Sequence, residues 1–386
     1  MLLLLACSAE DVTAEFEARK AEALGPPAQL ESGWEQEVVL LLGDEVVTRM
    51  VTGAVDAELA KTKPVDVAGL GKVKLKTRLE HLKLIKAQCD GCVGVRGRLE
   101  GTANVKVGKV KKTLPLTVKF KAQVEFASKD AGLRGRNLVM SLRKVQDLEV
   151  EAGSLGAQLS KPLRNWSQEL LEEVEEVDLG PVGSEDLPLR DVRLQGSPQG
   201  LRIEALASCV GPCGTAVDPD WDGEGFQVVV SEALLLDTAR KAAFAEGDIS
   251  GDHALDIWAE PTSLDVDGDR FVMELRLWRI EGTGWWRDYT LRGPLALERG
   301  HLKLSADELE ESGRSDGAAV VDPLAWLGEW LILDTMADSA HGAFPARDAF
   351  AVGDLQLTTT LKTLHGEGDA LVLDGEVAVH GLGKKK

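Results

Sequence analysis

The sequence predicts an α+β protein of two tandem modules, each a long twisted antiparallel sheet rolled around two helices. Three observations carry this. Long stretches alternate polar and apolar residues with period two, as antiparallel strands with one dry and one wet face do. A short apolar strand, a capping residue and an amphipathic helix follow one another twice, at 37–61 and at 226–247. Charge is also split along the chain: 16 Lys/Arg face 4 Asp/Glu from Lys61 to Lys121, and 12 face 33 from Asp218 to Glu376. A length of 386 residues suits two domains of ordinary size.

The first element is read as a processing signal, the alternative being a chance match at a frayed N-terminus. Leu4-Leu5-Ala6-Cys7 fits a bacterial lipobox, in which a small residue precedes a cysteine that becomes acylated. The apolar stretch before Cys7 is shorter than the roughly 7–15 residues of an ordinary secretory signal, and no cation precedes it. Residues 1–7 are expected to be a signal remnant and Cys7 the lipid anchor. The segment 8–33 is acidic, Ala-rich and carries Gly25-Pro26-Pro27, which reads as a tether, either extended or part helical, rather than a domain. No apolar run approaches the roughly 20 residues of a spanning helix, so membrane attachment rests on Cys7.

The first module is expected over 34–213. "EVVLLLGDEVVTRMVTGAVDAELAK" gives an apolar strand, then a helix whose Val46, Val47, Met50 and Val51 share a stripe. A meander follows, through "KVKLKTRLEHLKLIKA", "VGVRGRLEGTANVKV", "LPLTVKFKAQVEFA" and "LVMSLRKVQDLEVE". A second helix places Leu163, Trp166, Leu170 and Val174 on one side, and two strands close the unit. An acidic linker, 214–225, leads to the second module, 226–381, with the same plan. Ser231 caps its first helix, which carries Leu235 and Ala239; Pro323 begins its second, which carries Leu324, Leu327 and Leu331. Residues 382–386 are a solvated tail.

Several function classes are disfavoured. A net charge of −20 argues against nucleic acid, whose phosphates need clustered cations. The cations of the first half are either a solvated sheet face or a patch for anionic head groups. No nucleophile elbow, phosphate-cradling loop or dinucleotide fingerprint occurs, and the six His are scattered, so no enzyme is expected. Cys89, Cys92, Cys209 and Cys213 form two close pairs, which fit either two disulfides or a four-sulfur zinc site; export favours disulfides. Asp218, Asp220, Asp222 and Glu224 either bind Ca²⁺ or form a plain acidic linker. Trp285-Trp286 is either an exposed tip that touches membrane or part of a half-buried sheet.

The order strand, cap, helix, meander, second helix and closing strand pair, repeated in tandem, resembles the tubular lipid-binding (TULIP) superfamily. The two-module arrangement is most similar to the bactericidal/permeability-increasing protein family. That resemblance implies tubes that hold the tails of a phospholipid or other amphiphile, with a sheet shared between modules. It assigns the lining to Val46, Val47, Met50, Val51, Leu163, Trp166, Leu170, Val174, Leu235, Ala239, Leu324, Leu327 and Leu331, all of which plain core packing would also explain. The expectation is a lipid-binding or lipid-transfer protein anchored at the outer membrane, in the periplasm or at the surface. The alternative is a non-lipid envelope or adhesion protein with acidic loops for Ca²⁺ or a partner.

Overall fold

The computed structural model describes residues 3–26, 36–61, 64–67, 71–87, 89, 91–107, 110–130, 136–151, 161–162, 164–166, 168–169, 176–182, 189–207, 221–247, 256–282, 284–298, 301–315, 349–352 and 355–381. The architecture is mostly antiparallel sheet with few helices. In chain order the elements begin with α1 (Leu3–Ala23), β1 (Val38–Gly43) and α2 (Asp44–Lys61). The first meander follows: β2 (Val65–Val67), β3 (Gly71–Ile85), β4 (Cys92–Val107), β5 (Val110–Asp130), β6 (Arg136–Glu151) and β7 (Val177–Val182). Then come β8 (Leu189–Ser197), β9 (Gly200–Ala207), β10 (Phe226–Ser231) and α3 (Glu232–Glu246). The second meander is β11 (Ile257–Asp267), β12 (Arg270–Arg279), β13 (Trp285–Glu298), β14 (His301–Leu304) and β15 (Glu308–Arg314). The chain closes with β16 (Ala349–Val352), β17 (Leu355–Gly366) and β18 (Ala370–Gly381).

These strands form three sheets. The first meander is a sheet of six in sequence order, β2 to β7, and the second is a sheet of five in which β13 pairs with β12, β14 and β15. At 21 residues, β5 runs to about 70 Å, far beyond an ordinary strand, and strands of this length twist strongly about one another. Alternation holds along them because bulges repair it. Between Leu79 and His81 the register against β4 shifts, so the inward set moves from odd to even positions and Leu82 and Leu84 stay buried. The shift between Pro261 and Ser263 does the same for β11, keeping both Ala259 and Val266 inside.

The third sheet joins the ends of the chain, in the order β16-β17-β18-β10-β1-β9-β8. β1 lies between β9 and β10, with Val39 opposite Glu204 on one side and Val229 on the other. Its apolar run has no polar alternation because both faces are covered. Val38, Val228 and Val230 belong to the main core, while Val39, Leu41, Val229, Ala370 and Val372 form a cluster on the other face. Two glycines fit the ends of this sheet by close approach. A Cβ at Gly200, with φ +144°, would stand 1.9 Å from the Leu42 carbonyl oxygen, and one at Gly225, with φ +59°, 2.1 Å from that of Gly375.

The helices start where local chemistry allows. Asp44 and Glu45 occupy the first turn of α2, where the exposed N–H groups favour negative charge. The Ser231 hydroxyl accepts from the Leu234 N–H at 3.3 Å and starts α3, which ends at Gly247 with φ +97°. In the first half, residues 161–162, 164–166 and 168–169 are helical, within the expected second helix; the expected second helix of the other half lies outside the described residues.

The N-terminal segment docks on the rest of the protein. Residues 8–23, expected to be part of a tether, belong to α1, and α1 packs on the second half. Val12, Phe16 and Ala23 fall on one stripe of α1 and are buried with Phe244 and Trp278. Composition suggested a tether because the segment is acidic, but a stripe needs only a few apolar residues when its partner surface is aromatic.

Candidate functional site

The candidate site is the apolar interior that each helix–sheet pair encloses. In the first half α2 supplies Val46, Val47, Met50 and Val51, all at most 4% exposed, and Ala54 and Val55 extend the stripe. The same apolar cluster contains Val95 and Leu99 of β4, Val118 and Phe120 of β5, Met140 and Leu142 of β6 and Ile203 of β9. Trp166, in the helical stretch 164–166, is also buried in this cluster. In the second half Ala239 is buried and Leu235 packs at the edge of the cluster, which also holds Phe271, Met273, Leu275 and Leu291. Leu163, Leu170, Val174, Leu324, Leu327 and Leu331 lie outside the described residues.

The main apolar cluster contains residues of both halves, including Val38 of β1 and Val230 of β10. The described lining is dominated by aliphatic side chains and Phe, with Tyr289 and the Arg287–Glu311 pair (3.3 Å) as polar exceptions in the second half. Such a lining supplies dispersion contacts and excludes water. It is chemically suited to hydrocarbon, and among the described residues its hydrogen-bonding groups lie near β13.

Two carboxylates that sequence reasoning missed tie a helix to a strand, Asp56 in the later part of α2 and Glu232 at the first position of α3. Asp56 of α2 accepts from the Leu79 N–H of β3 at 3.2 Å, and Glu232 of α3 accepts from the Val266 N–H of β11 at 2.6 Å. Among the described residues, each serves an amide of a strand that has a strand partner on one side only at that point. Burial pushes both carboxyls above their ordinary range, against the lowering effect of the amide; Asp265 and Asp369 push Glu232 further up. Nothing in the local sequence marks them, since a carboxylate in a helix's polar stripe looks solvated until the strand edge is known.

The remaining expectations fall into place as follows. Cys89 and Cys92 are joined by a disulfide, with their Cα atoms 5.5 Å apart. Cys209 and Cys213 lie outside the described residues, as do Asp218 and Asp220. The Asp222 carboxylate accepts from the Glu224 N–H at 2.8 Å, an ordinary turn contact. Among the described residues no group of three or more metal-ligating side chains comes together. Cys7 lies in α1. No described helix is long and apolar enough to cross a membrane. Trp285 is buried and Trp286 half-buried, both within β13.

Several cations of the first half stand on the outer face of its sheet. Lys83, Arg96 and Lys121 oppose one another across β3, β4 and β5, and His81, Arg98 and Lys119 do so in the next row. Like charges in register repel, and neighbouring carboxylates offset part of this. Lys119 pairs with Glu151 at 3.0 Å, Lys121 with Asp147 at 2.5 Å and Arg143 with Glu125 at 3.5 Å. The contact with Glu151 raises Lys119, and that with Lys121 lowers Asp147.

No family model matches the sequence, and no curated protein does. Among solved structures the chain is similar to a lipopolysaccharide binding protein, with TM-score 0.41 and 13% identity over 90% of this chain and 100% of that one. It is similar also to P47 from Clostridium botulinum A2, with TM-score 0.39 and 10% identity over 88% of this chain and 97% of that one. P47 of Clostridium botulinum E1 gives TM-score 0.42 and 9% identity over 89% and 99%. At TM-scores below 0.5 these similarities assign neither a family nor a function.

Proposed function

We propose that the chain is a lipid-binding protein of two tandem TULIP-like modules, which bury the acyl chains of a phospholipid or other amphiphile between helix and sheet. The observation that carries this is the lining: long sheet faces of Val, Leu, Met and Phe opposed by the apolar stripes of α2 and α3. Each methylene taken from water contributes about 0.8 kcal/mol, so a tail of ordinary length is held without any specific polar contact. The order of the joining sheet, in which β8, β9 and β1 meet β10, β18 and β17, supports the two-module reading. Binding, rather than catalysis, is the activity proposed. We place the protein in a bacterial envelope with Cys7 as its lipid anchor, on the strength of the lipobox pattern.

The test is titration with a phosphatidylcholine carrying a fluorescent acyl chain. Saturable enhancement of emission, competed by unlabelled phospholipid, is expected. Emission that never rises, with the protein shown to be folded by circular dichroism, overturns the reading.

A further inference from the structure

The outer face of the second-half sheet carries an aromatic row. Trp258 of β11 stands opposite Trp278 of β12, which stands opposite Trp286 of β13. The adjoining row on the same strands is Glu260, Arg276 and Asp288. The three indoles therefore occupy the parity on which these strands place charged groups. At about 150–250 Å² each, three exposed Trp would make a patch as large as the largest that soluble monomers ordinarily leave open.

In this structure α1 covers the row. The Phe16 ring meets those of Trp258, Trp278 and Phe244 edge-on, with centroids 5.2, 5.9 and 5.9 Å away, and Trp278 is fully buried. Charged contacts surround this centre. Glu15 pairs with Arg276 at 3.0 Å, Arg19 with Glu260 at 3.6 Å and Glu22 with Arg240 at 3.7 Å, while the Lys20 ammonium lies 3.8 Å from the Trp258 ring centroid.

Two features separate this contact from core packing. The cluster of Val12, Phe16, Ala23, Phe244 and Trp278 is distinct from the main apolar cluster, so lifting α1 leaves the enclosed interior intact. The row also has polar partners of its own within the second half. Trp258 Nε1 donates to Asp256 at 3.0 Å, and Trp278 Nε1 to Glu260 at 3.0 Å. Arg276 makes two bonds to Asp288, at 2.6 and 2.9 Å, and Arg240 one to Glu260 at 2.8 Å. Without α1 the surface would pair two cations with two anions and present indole faces to solvent.

We propose that α1 is a removable cover, and that the Trp row beneath it is a docking surface for a zwitterionic lipid–water interface. Indole rings, apolar but for one N–H, suit the boundary between hydrocarbon and head groups. The acidity of the second half, 33 Asp/Glu against 12 Lys/Arg from Asp218 to Glu376, disfavours an anionic bilayer as the target. This inference does not rest on tails being held inside the modules, and the probe titration above leaves it untouched.

The test is flotation of the full chain with phosphatidylcholine vesicles, in a Cys7→Ser background so that no acyl group contributes. The parent protein is expected to stay in the soluble fraction. Phe16→Asp, which puts a charge against the indoles, is expected to float, and adding Trp258→Ser and Trp286→Ser is expected to return it to the soluble fraction. Should Phe16→Asp fail to fold, Glu15→Lys with Glu22→Lys sets like charges against Arg276 and Arg240 and is expected to float in the same way. Parent and variant floating alike, neither variant floating, flotation only with phosphatidylglycerol, or flotation that persists without Trp258 and Trp286 would each overturn the proposal.

Discussion

Glu232 shows how one side chain records its surroundings. It bonds the Val266 amide, yet burial and two neighbouring aspartates hold its carboxyl above the ordinary value of 4.5. The folded state therefore binds this proton more readily than the unfolded state does. Its contribution to stability is greatest below the unfolded value and is lost as pH rises through the folded one. Glu232→Gln, which keeps an acceptor and removes the charge, is expected to raise Tm at neutral pH and to lose that advantage in acid. Thermal unfolding across the acid range checks this, and a Tm lowered at neutral pH would show that the charge itself is needed. Leu99 gives the complementary case. It is fully buried on β4 between the other sheet residues and α2, so Leu99→Ala is expected to cost about 2–5 kcal/mol in urea unfolding.

Among the elements, the start of α3 and the joining sheet are the most exposed to single changes. Ser231→Ala removes the acceptor for the Leu234 N–H and is expected to cost about 0.5–2 kcal/mol, read from the same unfolding curves. Gly200→Val is expected to be far worse, because a Cβ there meets the Leu42 carbonyl and φ +144° disfavours any branched residue. Loss of soluble protein or rapid proteolysis near β1 is the expected outcome; a variant as resistant as the parent would show that β1 and β9 tolerate separation.

Element by element, the sequence was legible where burial follows a period. The alternation of β4 and β5 and the stripe of α2 were read directly, since Val118 and Phe120 or Val46 and Met50 leave the same pattern in any surroundings. The bulge near Glu80 was not, because "LEHLKL" breaks the alternation without saying which face survives. Nor was the seat of α1, whose Phe16 finds partners more than two hundred residues away. A clue did exist: Trp258, Trp278 and Trp286 share parity with charged neighbours, which calls for a cover. The carboxylate contacts of Asp56 and Glu232 gave no such signal, since they depend on which strand lies at an edge.

At the scale of the whole molecule, residues from both ends of the chain meet in one sheet, and one apolar cluster draws on both halves. Charge is divided the other way, with cations on the outer face of the first sheet and a strong acidic excess in the second half. The inside shared by the two halves is apolar. The proposal stands on that inside taking up hydrocarbon. Native mass spectrometry of the full chain, purified without detergent, measures this most directly: a mass higher than the polypeptide by whole phospholipid or other amphiphile molecules, removed by organic solvent, is the predicted result. A mass equal to the bare chain, unchanged after incubation with phospholipid vesicles, would contradict it.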